Sequence, residues 1–151
     1  MPSNHPFANK KEVRAEELKQ ETMLLLGTGH CFRDHVLEVC PEFARFSSDA
    51  EGIRKSFEGS SLETIKHMVA SGMGITLVPW LSVPPDALAP PRGARRKADQ
   101  APQVRYIPFE GTPPSRRVVL AWRRSFTRYE AIAALRNAIY ACELPGVKRL
   151  S

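Results

Sequence analysis

The sequence predicts an α/β domain with a largely parallel sheet. Short apolar runs with strand character alternate with amphipathic stretches at helical spacing. Glycine or proline closes most of them. With 151 residues, the chain is long enough for one compact domain with a real core.

Taken in order, 22–26 (TMLLL) reads as a short buried strand ended by Gly27. From 31 to about 43, the apolar positions Phe32, Val36, Val39, Cys40 and Phe43 follow helical spacing, and Pro41 predicts an end or irregularity near Cys40. Residues 53–57 suit a strand. The stretch SSLETIKHMVASGMG is a clear helix, with Ser60 and Glu63 at capping-box spacing. Leu62, Ile65, Met68 and Val69 form its apolar stripe, and Gly72 supplies the stop. ITLVP (75–79) is a strand closed by proline. Residues 84–103 carry five prolines and no periodicity, which predicts a surface loop. VRYIPF (104–109) and RRVVLAW (116–122) read as strands. TRYEAIAALRNAIYACE (127–143) is the last helix, with Tyr129, Ile132, Leu135 and Ile139 on one side.

Composition narrows the setting. At 42% hydrophobic and 25% charged, the chain reads as soluble and globular. No apolar run approaches the roughly 20 residues of a membrane helix, and the N-terminus lacks the apolar core of a secretory signal. Three cysteines do not make a disulfide scaffold, so a reducing cytoplasm is the expected location. Residues 1–75 carry net −2 and residues 76–151 net +8. Four of the positive charges sit in RGARRK (92–97), so a solvated loop explains the excess better than a nucleic-acid surface.

The chemistry concentrates in GTGHCFRDHVLEVC (27–40), which holds Cys31 and Cys40. If 31–40 is helical, the two lie on opposite faces, roughly 13 Å apart along the axis. A disulfide needs Cα atoms within about 7 Å, so oxidation must unwind the helix. Such coupling turns a chemical event into a change of shape. Cys40 shares the apolar stripe. Cys31 opens the helix beside Asp34, His35 and Glu38, where the macrodipole and unpaired N–H groups favour a thiolate. His30 and Arg33 add positive charge or hydrogen bonds, while the charge of Asp34 works against the thiolate. Cys31 therefore fits the attacking role toward a peroxide and Cys40 the resolving role. Spacing alone leaves other readings open. Two cysteines this close are commonly unrelated core or surface residues. His30, Cys31, His35 and Cys40 also form a conceivable metal set, though at no common zinc spacing. Cys142 reads as an inert packing residue, and His5 and His67 as solvated.

GHCFRDHVLEVC resembles the redox segment of the peroxide-sensing LysR-type transcription regulators. SSLETIKHMVASGMGITLVP resembles the helix-turn-strand signature of their effector domain, and HPFA, SRRVVLAWR and TRYE also match. The resemblance spans about 1–143. It implies a periplasmic-binding-protein-like effector domain, of which this stretch holds one full subdomain plus the returning strand and helix of the other. Residues 1–110 correspond to the second subdomain, with the redox segment at 27–43 and a loop at 84–103. Residues 116–143 correspond to the strand and helix of the first. The resemblance makes Cys31 the peroxide-reacting and Cys40 the resolving cysteine, joined by a disulfide on oxidation. It also places His30, Asp34 and Arg117 near the reactive thiol.

The implied reactant is hydrogen peroxide, used stoichiometrically by a sensor rather than turned over by an enzyme. No cofactor, metal or membrane is expected. The implied partners are the missing N-terminal half of the regulator and further copies in a dimer or tetramer. Promoter DNA would be reached only through a winged helix-turn-helix that lies outside this stretch. The competing functions are an effector domain binding a small organic inducer, a thiol peroxidase, and a zinc module. Without the other subdomain, residues 118–122 and the apolar face of 127–143 are expected to lack cover.

Overall fold

The computed structural model describes residues 1–45, 56–88 and 103–150. Two parallel strands form its centre, β1 (Met23–Leu26) and β2 (Ser56–Gly59), paired from Met23–Ser56 to Leu26–Gly59. On the other edge of β1, Met23 bridges Ile75, also in parallel. The expected strand at 75–79 goes no further than that. Thr76 explains the stop, because its hydroxyl donates to the Leu24 carbonyl at 2.8 Å, where the next ladder N–H would bond. The expected strand at 104–109 likewise reduces to single bridges, Val104 to Pro2 and Phe109 to Val13. Residues 53–55 of the expected second strand, and 89–102 of the expected loop, lie outside the described residues.

Successive residues of β1 point to opposite faces, and each face buries its own cluster. Met23 and Leu25 pack with Val36, Cys40, Phe43, Leu18 and Ile75. Leu24 packs with Ile65 and Val69. The first cluster is covered by α1 (Cys31–Val39) and α2 (Glu42–Arg45), together with a 3-10 turn at Ala15–Gln20. The second is covered by α3 (Leu62–Ala70).

The α3 cap sits one residue later than expected. Ser61, not Ser60, is the N-cap, and its Oγ accepts the Thr64 N–H at 3.1 Å. At the other end, the Gly72 N–H donates to the Val69 carbonyl and the Met73 N–H to Met68. Gly72 adopts the left-handed φ of +84° that this closing geometry requires. Gly74 then passes so close to β1 that a Cβ there would lie 2.4 Å from the Thr22 carbonyl oxygen.

A short helix, α4 (Pro85–Leu88), follows, and the last helix among the described residues is α5 (Tyr129–Ala141). The expected strand at 116–122 pairs with nothing among the described residues. Val118 is 80% exposed and Val119 68%. Tyr129, Leu135, Ile139 and Tyr140 of α5 are exposed as well. An isolated extended segment has no neighbour to satisfy its backbone, so the apolar sequence is present without its ladder.

Candidate functional site: the helix between two thiols

All three cysteines are free. Cys31 is the first residue of α1 and is exposed. Cys40 is the C-cap, with φ −130° and ψ 71°, and is 0% exposed. The break at Cys40 follows from Pro41, whose ring disfavours helical backbone in the residue before it. Nine residues of helical rise put the two positions about 13 Å apart along the axis. The structure thus holds the thiols at opposite ends of one helix, one in solvent and one in the core.

Cys40 is chemically quiet in this state. Burial, with the nearby carboxylates of Glu42 and Glu16, pushes its thiol up to about 11 from an ordinary 9.0. A buried thiol that holds its proton is a poor nucleophile.

The N-terminal end of α1 is fixed by Arg33. Its Nη1 donates to the Leu26 carbonyl at 3.1 Å and to Glu58 Oε1 at 2.6 Å. Arg33 therefore ties the first turn of the helix to the ends of β1 and β2. At the C-terminal end, Phe43 of α2 is buried to 1% beside Cys40. Glu42 of the same turn pairs with Lys19 at 2.9 Å.

The other expected site residues are less closely gathered. His30 is the exposed N-cap of α1 and makes no side-chain cap bond. Asp34 is exposed on the first turn. Arg117 is exposed on the wall of a large cleft. The guanidinium of its neighbour Arg116 lies 5.2 Å from the ring centre of Phe32, the residue after Cys31. No three His, Cys, Asp or Glu residues converge on a metal position among the described residues.

Two histidines depart from expectation. His5 is not solvated. Its Nδ1 accepts the Phe7 N–H, and its Nε2 lies 3.0 Å from Glu21 Oε2. His35 has a buried Nδ1 with no hydrogen-bond partner among the described residues. His67 is exposed, as expected.

Phe32, His35 and Val39 of α1, residues 76–81, residues 116–120 and Trp122 all line the cleft, which has a volume of about 2110 Å³. That is at least twice the roughly 300–1,000 Å³ of a drug-sized ligand pocket. Its walls include the exposed apolar strip at 118–122.

The LysR substrate binding domain family matches residues 1–91. The chain belongs to that family. It is 38% identical over 133 residues to the DNA-binding transcriptional dual regulator OxyR of Escherichia coli K12, covering 86% of this chain and 38% of that protein. It is 32% identical over 148 residues to the hydrogen peroxide-inducible genes activator of Haemophilus influenzae, covering 96% of this chain and 43% of that one. A solved reduced form of OxyR from Neisseria meningitidis superposes with a TM-score of 0.79 at 39% identity, covering all of this chain and 63% of that one. The fold is accordingly the periplasmic-binding-protein-like fold of OxyR regulatory domains. The chain spans about two fifths of the length of the curated relatives it matches.

Proposed function

We propose that this chain is the redox-sensing part of a LysR-type transcription activator, switched by a peroxide-driven disulfide between Cys31 and Cys40. One observation carries the reading. An exposed thiol begins α1, and a buried thiol ends it. The Cys31 thiolate attacks one oxygen of hydrogen peroxide, and the O–O bond breaks. The departing hydroxide takes a proton and leaves as water, while the sulfur becomes a sulfenic acid, oxidised by two electrons. Cys40, once released and deprotonated, attacks that sulfur. The S–S bond forms, the S–O bond breaks, and the departing hydroxide takes a proton from solvent and leaves as a second water. The bond cannot close across an intact α1, so oxidation replaces the helix with another arrangement.

His30 and Asp34 flank the reacting thiol by position. Arg117, with Arg116, supplies positive charge from the cleft side. Residues 1–110 act as the second effector subdomain. Residues 116–143 complete the first, whose remaining part fills the cleft and covers 118–122 and α5. In the complete regulator the switch would act in the cytoplasm on a dimer or tetramer, with promoter DNA held by a separate domain. Peroxide is consumed once per switching event, without enzymatic turnover.

The test is a brief stoichiometric peroxide pulse on the reduced protein, followed by peptide mapping. A rapid Cys31–Cys40 disulfide is expected. Thiols that stay reduced, together with a ligand-induced rise in melting temperature, would replace this reading with an effector domain for a small organic inducer.

A further inference from the structure

Disulfide formation needs more than a reactive Cys31. It also needs Cys40 to leave a core position that is 0% exposed. Three features stand over that position. Leu18, at the end of the 3-10 turn, packs in the same cluster as Cys40 and Phe43. Lys19, the next residue, reaches across to Glu42, with Nζ 2.9 Å from Oε1. Glu42 lies in turn between Cys40 and the buried ring of Phe43 in sequence. The ion pair thus fastens the 3-10 turn to the one segment that must swing away for Cys40 to emerge. Glu16, on the same turn as Lys19, adds to the negative charge facing it.

We propose that the Lys19–Glu42 pair is a latch that sets how fast the resolving cysteine is released, making both residues positioning residues for the second step of the switch. The inference rests on the proposed pairing of Cys31 with Cys40. Opening the latch requires no chemistry. It requires α2 to part from Lys19 and Phe43 to leave its pocket, after which Cys40 is in solvent. The pair is partly exposed, so its grip is modest. Breaking it corresponds to a change in release rate of about two- to fivefold.

The same geometry allows a rival explanation that experiment separates. The Glu42 carboxylate opposes a Cys40 thiolate, and Lys19 offsets it. If field alone mattered, Glu42→Gln would speed resolution while Lys19→Met would slow it. A latch predicts that both substitutions speed it, since each breaks the same link.

The experiment is a peroxide pulse on the 151-residue chain, with dimedone competing against disulfide formation for the sulfenic acid. The measured quantities are the rate of Cys31 oxidation and the fraction trapped. For Glu42→Gln and Lys19→Met, the trapped fraction is expected to fall as resolution quickens about two- to fivefold. The rate of the first step should stay unchanged, and Lys19→Arg should restore wild-type behaviour. Opposite effects of the two substitutions, or no effect of either, would overturn the latch. Absence of any Cys31 sulfenic acid or Cys31–Cys40 disulfide in the unsubstituted chain would instead overturn the proposed function.

Discussion

Arg33 and Glu58 lock the start of the redox helix to the sheet, Nη1 to Oε1 at 2.6 Å, while the same nitrogen holds the Leu26 carbonyl. One side chain thus spans α1, β1 and β2. Arg33→Met removes both bonds and leaves that carbonyl without its donor. We expect a loss of about 1–3 kcal/mol of stability, read as a lower urea midpoint at unchanged slope. Glu58→Gln, which keeps a hydrogen-bond acceptor, should lose less.

The cysteines are separable by substitution. Cys31→Ser should abolish reaction with peroxide. Cys40→Ser should stop at a sulfenic acid on Cys31, detectable by mass after trapping. A disulfide of unchanged yield in that variant would disprove the pairing. Cys142, exposed at the end of α5 with its Sγ 3.3 Å from the Ala138 carbonyl, should be replaceable by serine without effect on either step.

Cys40 makes stability depend on pH in alkaline solution. The unfolded thiol loses its proton near 9.0, and the folded one near 11. Between these values the folded state binds more protons, so stability falls as pH rises. Its contribution is complete below 9 and lost by about 11, with a loss on the order of 2 kcal/mol. Cys40→Ala should flatten the slope of unfolding free energy over that window, although its overall stability is lower.

The uncovered arm should make the isolated chain sticky. Among the described residues, Val118 and Val119 are the most exposed large apolar ones, and Trp122, Tyr129 and Leu135 extend the surface. Sedimentation velocity should show association that grows with concentration. A Val118→Lys, Val119→Lys double variant should sediment as a smaller species at the same concentration.

The sequence makes legible what local rules determine. Helical spacing and Pro41 marked α1 and its break at Cys40. Gly72 marked the end of α3, and the stripe of Ile65 and Val69 marked its buried face. The strands were harder, because a strand is defined by its neighbour. Residues 75–79 and 104–109 have strand composition but make single bridges, and 116–122 makes none among the described residues. Within the site, both thiols were legible. The residues that hold the helix in place, Arg33 with Glu58 and Lys19 with Glu42, were not, since each pair joins segments at least 23 residues apart. His5 illustrates the same limit, because its carboxylate partner comes from a different turn of the chain.

Leu24 and Leu25 are consecutive residues, yet each belongs to a different buried cluster. The helix that carries the thiols and α3 therefore share a backbone strand but not a packing unit. Opening of the α1 side exposes Met23, Leu25 and Phe43, while Leu24, Ile65 and Val69 keep their mutual contacts. The two clusters are expected to open as separate cooperative units. Amide protons of α3 should exchange by a slower, more global process than those of α1. On the proposed switch, one face of the sheet would be rebuilt while the other serves as the fixed frame against which the change is measured.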